Sequence, residues 1–202
     1  MIRLVCGQTW EVRVRQGAME QDFLRLAQRG EEDAINQLVE TYQQSVFNVC
    51  YRMLGEVAEA EDATQETLVK ALTNLHSYDL ERPFRPWLLR IASNECIDRI
   101  RRRKNPLSLD GLGEDGAWEW KQGDSPNPEA EMVRRERRDE VRAVLDALSP
   151  QDRAIVTLFY WENLPYTEIE AVTGLSISAI KSRLFRARRT MAELLVQEEA
   201  YA

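Results

Sequence analysis

The chain has 202 residues, 44% of them hydrophobic, and its 34 acidic residues outnumber its 27 basic ones, which gives a formal net charge of −7. This length allows one large domain or two small ones, and the apolar fraction is sufficient for hydrophobic cores. A chain with a net negative charge does not bind polyanions through its overall charge, so such binding would require a local cluster of cations.

Composition also gives little support to a disulfide-bonded, metal-binding or membrane protein. Cys6, Cys50 and Cys96 are widely spaced without a CxxC pattern, which indicates reduced thiols in a cytoplasmic protein, and we expect Cys50 and Cys96 to be buried. The single histidine, His76, argues against a His-based metal site. No apolar run approaches transmembrane length, and the N-terminus lacks a secretory signal. We therefore expect no membrane segment, no metal and no cofactor.

The first part of the chain predicts a helical domain over residues 19–104. Residues 1–18 show no helical period, and the sequence leaves two alternatives: a functional N-terminal extension, or a functional chain that begins near Met19. From there apolar residues recur every three or four positions, the period of an amphipathic helix. The expected elements are a long helix with apolar residues from Ala34 to Met53 that ends at Gly55, a helix over Ala60–Leu75, a loop over His76–Phe84, and a third helix from Arg85 or Pro86 to Arg103.

Residues 105–130 differ in character from the segments on either side. They are rich in Gly, Pro, Asp and Ser and hold six acidic residues against one base, Lys121, which predicts an acidic, flexible linker. Trp118 and Trp120 are unusual in a free linker and suggest docking onto another surface. The helical period returns over residues 131–202, where Ser149 and Pro150 are typical of the cap and first turn of a helix.

A helix-turn-helix is predicted within this last segment. Ile169 and Val172 give the first helix its apolar face, Gly174 fits a left-handed C-cap residue, and Ser176 or Ser178 can cap the helix that follows. On that second helix apolar residues form one face, and no acidic residue occurs between residues 175 and 191. The outward residues are Lys181, Ser182, Arg183, Phe185, Arg186, Arg188 and Arg189.

The basic face of that helix predicts DNA binding, because the second helix of such a motif enters the major groove. The alternative is an ordinary helical hairpin with a solvated basic face. The turn, the charges of one sign and the exposed aromatic Phe185 together favour DNA. The whole chain is thus predicted to be all-α, with two small helical domains joined by an acidic flexible linker and a helix-turn-helix in the second domain.

The third helix of the first domain carries a second candidate surface. Trp87, Arg90, Asn94 and Arg101 lie opposite its apolar residues, and aromatic faces beside cations bind single-stranded nucleic acid. The spacing supports an alternative equally well: Trp87 packs into the core, and the basic run at 101–104 is a solvated helix C-terminus.

Taken together, these residues resemble a bacterial sigma factor of the extracytoplasmic-function (ECF) group. The resemblance spans Asp22 to Leu195 and rests on the order and spacing of motifs on both sides of the acidic linker. The motifs are Tyr51-Arg-Met-Leu-Gly, Ala60-Glu-Asp-Ala-Thr-Gln-Glu-Thr-Leu, Trp87-Leu-Leu-Arg-Ile-Ala-Ser-Asn, Asp98-Arg-Ile-Arg-Arg, Leu148-Ser-Pro and Ile180-Lys-Ser-Arg-Leu-Phe-Arg-Ala-Arg. One departure is Ser178-Ala179, where the family often has Gly-Thr.

The resemblance implies a division of labour between the domains. Residues 19–104 would form a sigma region 2-like domain that binds core RNA polymerase and the melted −10 element, and residues 131–202 a region 4-like domain that reads the −35 duplex. The implied polymerase contacts are Asp62, Gln65 and Glu66. The implied −10 residues are Phe84, Trp87 and Asn94, with Arg90 and Arg99 as phosphate partners. The implied −35 residues are Lys181, Ser182, Phe185 and Arg186 at base edges, with Arg183 and Arg188 nearer phosphate.

The resemblance also implies the partners: core RNA polymerase, promoter DNA and an inhibitory anti-sigma factor, with a stress or envelope regulon. The competing hypothesis is a helix-turn-helix regulator that acts on duplex operators without core polymerase. The long acidic tether argues against that hypothesis because it is a poor linker for a dimer. An enzyme is disfavoured, since the sequence has no Gly-rich phosphate loop and no Cys-His or Ser-His-Asp set, and we expect no catalytic residues.

Overall fold

The computed structural model describes residues 21–104 and 140–201, with side chains to residues 103 and 194. The N-terminal extension at 1–18, with Cys6, and the linker at 105–130, with Trp118 and Trp120, lie outside the described residues. Every regular element in the described ranges is helical, which confirms the all-α fold class. No helix among those residues is long and apolar enough to cross a membrane.

The described helices form two sets in chain order. The first set is α1 (21–28), α2 (Glu32–Leu54), α3 (Val57–Asn74) with a 3-10 turn at Leu75–Ser77, and α4 (Phe84–Lys104). The second set is α5 (140–146), α6 (Pro150–Tyr160), α7 (Tyr166–Thr173) and α8 (Ile177–Tyr201).

The corner between α2 and α3 depends on Gly55, as the sequence predicted. Its φ of 81° is left-handed, and its N–H bonds to the carbonyl of Tyr51 at 2.8 Å, which ends α2. A Cβ at this position would lie 2.7 Å from Nε of Arg142, so a larger residue would also displace a side chain of the second set. Helix α3 begins at Val57, three residues before the predicted start, because the chain turns immediately after this glycine.

The core of the first set lies between α2, α3 and α4. Val49 and Met53 of α2 and Leu89 of α4 are completely buried. Cys50 and Cys96 are also completely buried and free, as predicted. A hydrogen bond with Cys50, together with burial, raises the pKa of the Cys96 thiol well above its ordinary value. Both cysteines therefore behave as small apolar core residues.

The helix-turn-helix in the second set has the predicted capping residues at the end of α7 and the start of α8. Gly174 has a φ of 71°, and its N–H bonds to the carbonyl of Glu170, which ends α7. Oγ of Ser176 accepts from the backbone N–H of Ala179 at 3.3 Å, so Ser176 is the residue that caps α8. At the start of α6, Ser149 accepts from the N–H of Asp152, with Pro150 in the first turn.

The two sets pack directly against each other, which the sequence did not predict. Helix α4 contacts α6 and α7, helix α2 contacts α6, and one continuous apolar core spans both sets. The guanidinium of Arg153, 6% exposed, donates to the carbonyl of Met53 at 2.7 Å and pairs with Asp146 at 2.7 Å. Desolvation by burial lowers the pKa of Arg153. A positive group placed at the carboxyl end of α2 is favoured by the helix dipole.

A second group of polar contacts joins the two sets at Glu162. The carboxylate of Glu162, in the loop between α6 and α7, is 5% exposed and accepts from the hydroxyl of Ser45 at 2.7 Å and from the guanidinium of Arg85. Beside it, the Arg52 guanidinium lies 4.9 Å from the centroid of the Trp161 ring. We call Glu162, Arg85 and Ser45 the interdomain triad.

Candidate nucleic-acid interface

Helix α8 has one buried face and one cationic, solvent-exposed face. Ile180, Leu184 and Ala187 are buried against α6 and α7. The sequence predicted exposure on the opposite face, and there Phe185 is the most exposed large apolar side chain of the described residues, at 69%. Lys181, Ser182 and Arg186 are exposed beside it.

Three aromatic residues of α6 and α7 lie next to the cations of α8. The rings of Phe159 and Tyr160 pack edge to face at 5.0 Å, and those of Phe159 and Tyr166 stack at 5.4 Å. The Lys181 ammonium lies 5.4 Å from the Tyr166 centroid, and the Arg188 guanidinium lies 5.7 Å from that of Tyr160. Phe159, Tyr160 and Tyr166 form what we call the aromatic strip.

The arginines of α8 have different surroundings. Arg183 pairs with Asp152 at 2.9 Å, with both side chains 25% exposed, so its charge already ties α8 to the first turn of α6. Arg188 donates through Nε to the hydroxyl of Tyr160 at 2.6 Å. Arg189 pairs with Glu193 at 2.8 Å, and this hydrogen bond raises its pKa. Arg186 has no hydrogen bond or ion pair to any described residue, which leaves its donors available.

The structure buries Phe84, which the resemblance implied to be a −10 residue. Its side chain is 5% exposed and packs against the rings of Tyr42 at 5.1 Å, Tyr78 at 5.4 Å and Trp87 at 5.4 Å. A base cannot stack on this ring unless the ring leaves the cluster. Phe84 thus has a core role in this conformation, because the aromatic residues of the loop and of α2 enclose the start of α4.

Trp87 is half-buried, which lies between the two alternatives that its spacing allowed, exposure to nucleic acid and packing into the core. Its ring contacts Tyr78 at 4.8 Å while part of its surface reaches solvent. Arg90 and Asn94 are exposed on the same helix. This side of α4 therefore presents an aromatic edge, a cation and an amide, the groups that single-strand binding requires.

Arg99 belongs to an ion-pair network rather than to a free basic surface. The Glu95 carboxylate, 10% exposed, accepts from Lys70 at 2.6 Å and from Arg99 at 2.7 Å. Burial alone would raise the pKa of Glu95, but the hydrogen bonds from Lys70 and Arg99 outweigh that effect and lower it. The hydrogen bond that Lys70 donates to Glu95 in turn raises the pKa of Lys70. This network joins α3 to α4.

Helix α4 also faces the second set of helices near Asn94. Ser93, Asn94 and Ile97 line a cavity of about 60 Å³ opposite residues of α6 and α7 and the turn after α7. The hydroxyl of Ser93 is buried there without a hydrogen-bond partner among the described residues. Part of the candidate single-strand surface is therefore next to the second set in this conformation.

Helix α3 carries the acidic surface that the resemblance assigned to polymerase. Asp62, Gln65 and Glu66 are exposed, while Ala60, Ala63, Thr64, Thr67 and Ala71 are buried on the opposite face. Gln65 and Glu61 line a cleft of about 180 Å³ whose apolar walls come from α2 and α3: Val39, Phe47 and Leu68. An apolar cleft with an acidic rim suits a partner that presents both apolar and basic side chains.

Sequence reasoning missed two groups of residues at these surfaces. Tyr160 was not among the residues predicted to lie at the DNA surface, although it is 44% exposed and bonded to Arg188. Glu162 and Arg153 look like ordinary surface charges in the sequence, and only the packing of the two sets buries them. No cluster of His, Cys, Asp and Glu that could hold a metal ion occurs within the described ranges.

Two family models match the two sets of helices. The model of sigma-70 region 2 matches residues 38–105, and that of sigma-70 region 4 matches residues 138–191. The first match includes the acidic face of α3 and the exposed side of α4. The second includes α6, the aromatic strip and the cationic face of α8.

Similar proteins cover almost the whole chain. The chain is 33% identical over 176 residues to the ECF RNA polymerase sigma factor SigW of Bacillus subtilis strain 168, across 85% of this chain and 94% of SigW. It is 30% identical over 182 residues to the RNA polymerase sigma-H factor of Pseudomonas aeruginosa, across 87% of this chain and 93% of that protein.

A solved structure has the same arrangement of helices. The structure of CnrH in complex with the cytosolic domain of CnrY matches with a TM-score of 0.66 and 26% identity, across 88% of this chain and 97% of that one. The two family models, the relatives and this fold are all consistent with the cationic face of α8. The chain belongs to the ECF group of sigma factors, the subunits that bind core RNA polymerase and direct it to promoters.

Proposed function

We propose that this sigma factor divides its work among three helices. Helix α3 binds core RNA polymerase through Asp62, Gln65 and Glu66, helix α4 contacts the single-stranded −10 element, and helix α8 reads the −35 duplex. The observation that carries this assignment is the exposed face of α8, where Phe185 and Arg186, which has no partner in the described part of the chain, point away from a buried apolar face. Such a face fits a major groove.

For the −35 element, Lys181, Ser182, Phe185 and Arg186 contact base edges. Arg186 is the best candidate for a bidentate contact to guanine, since its guanidinium has no partner among the described residues. Arg188 contacts a phosphate. Arg183 contributes indirectly, because its ion pair with Asp152 holds α8 against α6.

For the −10 element, Trp87, Arg90 and Asn94 form the contact surface. Arg99 donates to Glu95 through Nε, so its terminal nitrogens are the donors that can reach a phosphate while this ion pair stays intact. Asn94 lies beside the second set of helices. Single-stranded DNA can therefore bind along α4 past Asn94 only if the two sets separate. Phe84 would join this surface only if its ring left the aromatic cluster.

The protein acts in the cytoplasm and has no catalysis of its own. An anti-sigma factor regulates it, which membership of the ECF group supports. Membership of the ECF group supports a stress or envelope regulon.

Binding of end-labelled promoter DNA to the chain alone and to the chain with core polymerase tests this function. We expect tight, sequence-selective binding that needs both proteins, with DNA bases around −10 becoming reactive to permanganate. A conventional operator-binding regulator would instead bind duplex DNA selectively without core polymerase and leave it unmelted. That second pattern would overturn the proposal.

A further inference from the structure

The hydrogen bond between Arg188 and Tyr160 is an unusual feature of an exposed helix face. Arg188 is exposed and Tyr160 is 44% exposed, so the bond lies on the solvent side of the protein. Its length of 2.6 Å and the guanidinium position 5.7 Å from the Tyr160 centroid and 5.8 Å from the Phe159 centroid fix the arginine from two directions. Exposed contacts of this kind contribute little to folding, which points to another role.

The chemistry of the bond leaves both groups able to bind an anion. Arginine has five N–H donors, and Tyr160 uses only the Nε donor, so the two terminal nitrogens remain available as far as the described residues are concerned. The Tyr160 oxygen accepts that bond and keeps its own proton as a donor. A guanidinium held through Nε presents its terminal nitrogens in a fixed plane, which is the geometry that phosphate recognition uses.

Arg186 provides the contrast on the same helix. It has no partner among the described residues, so its long side chain is free to adapt to a base edge. Arg188 has already lost much of the rotamer freedom that a flexible arginine would lose on binding. A residue fixed before binding suits a contact that every promoter offers, and the phosphate backbone is the part of DNA that does not vary with sequence.

We propose that Tyr160 is a positioning residue that holds Arg188 in place for a backbone phosphate of the −35 duplex. This inference rests on the proposed function of α8. Tyr160 acts through Arg188: its hydroxyl orients the guanidinium, while the Phe159 and Tyr160 rings support its apolar faces. The contact strengthens binding to all −35 sequences alike and fixes the register in which Arg186 meets its base pair.

A double-mutant cycle on the holoenzyme tests this role. Tyr160→Phe keeps the ring and removes only the hydroxyl, and Arg188→Ala removes the guanidinium. The dissociation constant is measured for each single variant and for the double variant, on a promoter fragment selected by the wild-type holoenzyme, at several salt concentrations. We expect Tyr160→Phe to weaken binding about three- to tenfold, the effect of one lost hydrogen bond. We expect Arg188→Ala to weaken it further and to shallow the salt slope by about one.

The informative comparison is the effect of Tyr160→Phe in two backgrounds. In Arg188→Ala the loss should disappear, because there is no guanidinium left to orient. In Lys181→Ala, which removes the cation over the neighbouring Tyr166 ring, the loss should remain in full. Equal losses in both backgrounds would overturn the inference, and so would wild-type affinity of Tyr160→Phe itself.

Two further readouts separate positioning from a structural role and from failure of the proposed function. Tyr160→Phe should leave the free energy of unfolding in urea unchanged and weaken all single-base variants of the −35 element by the same factor. Loss of stability, or an effect at one base pair, contradicts the role proposed for Tyr160. If the wild-type holoenzyme selects no promoter at all, the assignment of α8 is wrong instead.

Discussion

At the scale of single residues, Arg186 and Arg188 are two positions apart on α8 but have different surroundings. Arg188 is bonded to Tyr160 and lies over an aromatic ring, whereas Arg186 has no partner among the described residues. Helical periodicity alone predicted that Arg186 faces away from the core and that Arg188 lies nearer its edge. The hydroxyl of Tyr160 could not be predicted, because α6 and α8 meet only in the folded chain.

We expect Arg186→Ala to relax selectivity at one base pair of the −35 element, at a cost of about 1–3 kcal/mol in binding free energy. Arg188→Ala should weaken every sequence alike and shallow the salt slope by about one. Holoenzyme binding to promoter fragments with single-base changes, at two salt concentrations, measures both effects. Uniform weakening by Arg186→Ala would mean that the orientation assigned to the recognition helix is wrong.

The Glu95 network predicts a stability change that depends on pH. Its hydrogen bonds to Lys70 and Arg99 lower the pKa of Glu95, so the charged carboxylate stabilises the folded state above the ordinary glutamate pKa. That contribution is lost as the pH falls through the lowered pKa. Glu95→Gln should therefore cost about 1–3 kcal/mol in free energy of unfolding at neutral pH.

Urea unfolding of the wild type and Glu95→Gln at neutral and acidic pH measures this difference, which should shrink on acidification. Asp98→Asn is a suitable control, since the one ion pair of Asp98 within the described ranges is an exposed pair with Arg101 at 3.8 Å in its own helix. A difference between Glu95→Gln and the wild type that stays constant with pH would argue against the ionic origin of the effect.

At the scale of helices, the acidic face of α3 is the clearest separate unit. Its buried side is lined with small residues, and its exposed side combines Asp62 and Glu66 with the apolar cleft beside α2. Helical periodicity predicted which side faces outward, because the apolar residues of Ala60–Leu75 recur on the other side. The cleft could not be predicted, since its walls come from two helices.

Reversing both acids, Asp62→Lys with Glu66→Lys, should abolish co-purification with core polymerase and leave the fold intact. Charges at an interface rim set the association rate, and like charges brought together oppose binding. A matched control reverses Asp98 and Glu193, which change the charge equally and whose ion pairs, among the described residues, lie within their own helices. Wild-type yield of holoenzyme from the α3 variant would show that polymerase binds elsewhere.

The helix ends are the features that the sequence predicts best. Gly55 and Gly174 end α2 and α7 because both adopt positive φ, and Ser149 caps α6 through its hydroxyl. These local signals depend on neighbours in the chain. The burial of Phe84 could not be predicted from these local signals, because it depends on Tyr42, which is distant in sequence.

At the scale of the whole molecule, the two sets of helices share a continuous core despite the long segment between them. The sequence predicted the two helical units but not their contact. The contact depends on the interdomain triad, in which Glu162 pairs with Arg85 of the first set, and on Arg153, which pairs with Asp146 in its own set and donates across the interface to the carbonyl of Met53. Buried charges of this kind are costly to leave unpaired.

Glu162→Ala should weaken this packing. It leaves Arg85 without its carboxylate, and because Arg85 is 40% exposed and can be hydrated, we expect a cost of about 1–2 kcal/mol. Hydrogen exchange should become faster in α7 and in the part of α4 near Asn94, and the free chain should bind single-stranded −10 DNA more tightly.

Ile180→Val is the matched control, because it trims the core behind α8, which packs on α6 and α7. A similar loss of stability is expected there, of about 0.5–1.5 kcal/mol, without faster exchange in α4. Equal exchange at α4 in the two variants would contradict the idea that Glu162 holds the two sets together.

Run-off transcription tests whether this chain supplies promoter selectivity to RNA polymerase. Core polymerase is given a mixture of genomic templates with and without the chain, and the 5′ ends of the transcripts are mapped. We expect new, discrete transcription start sites that share −10 and −35 sequences and depend on the chain. These sites should be lost with the Asp62→Lys, Glu66→Lys variant. Start sites identical with and without the chain would contradict this role.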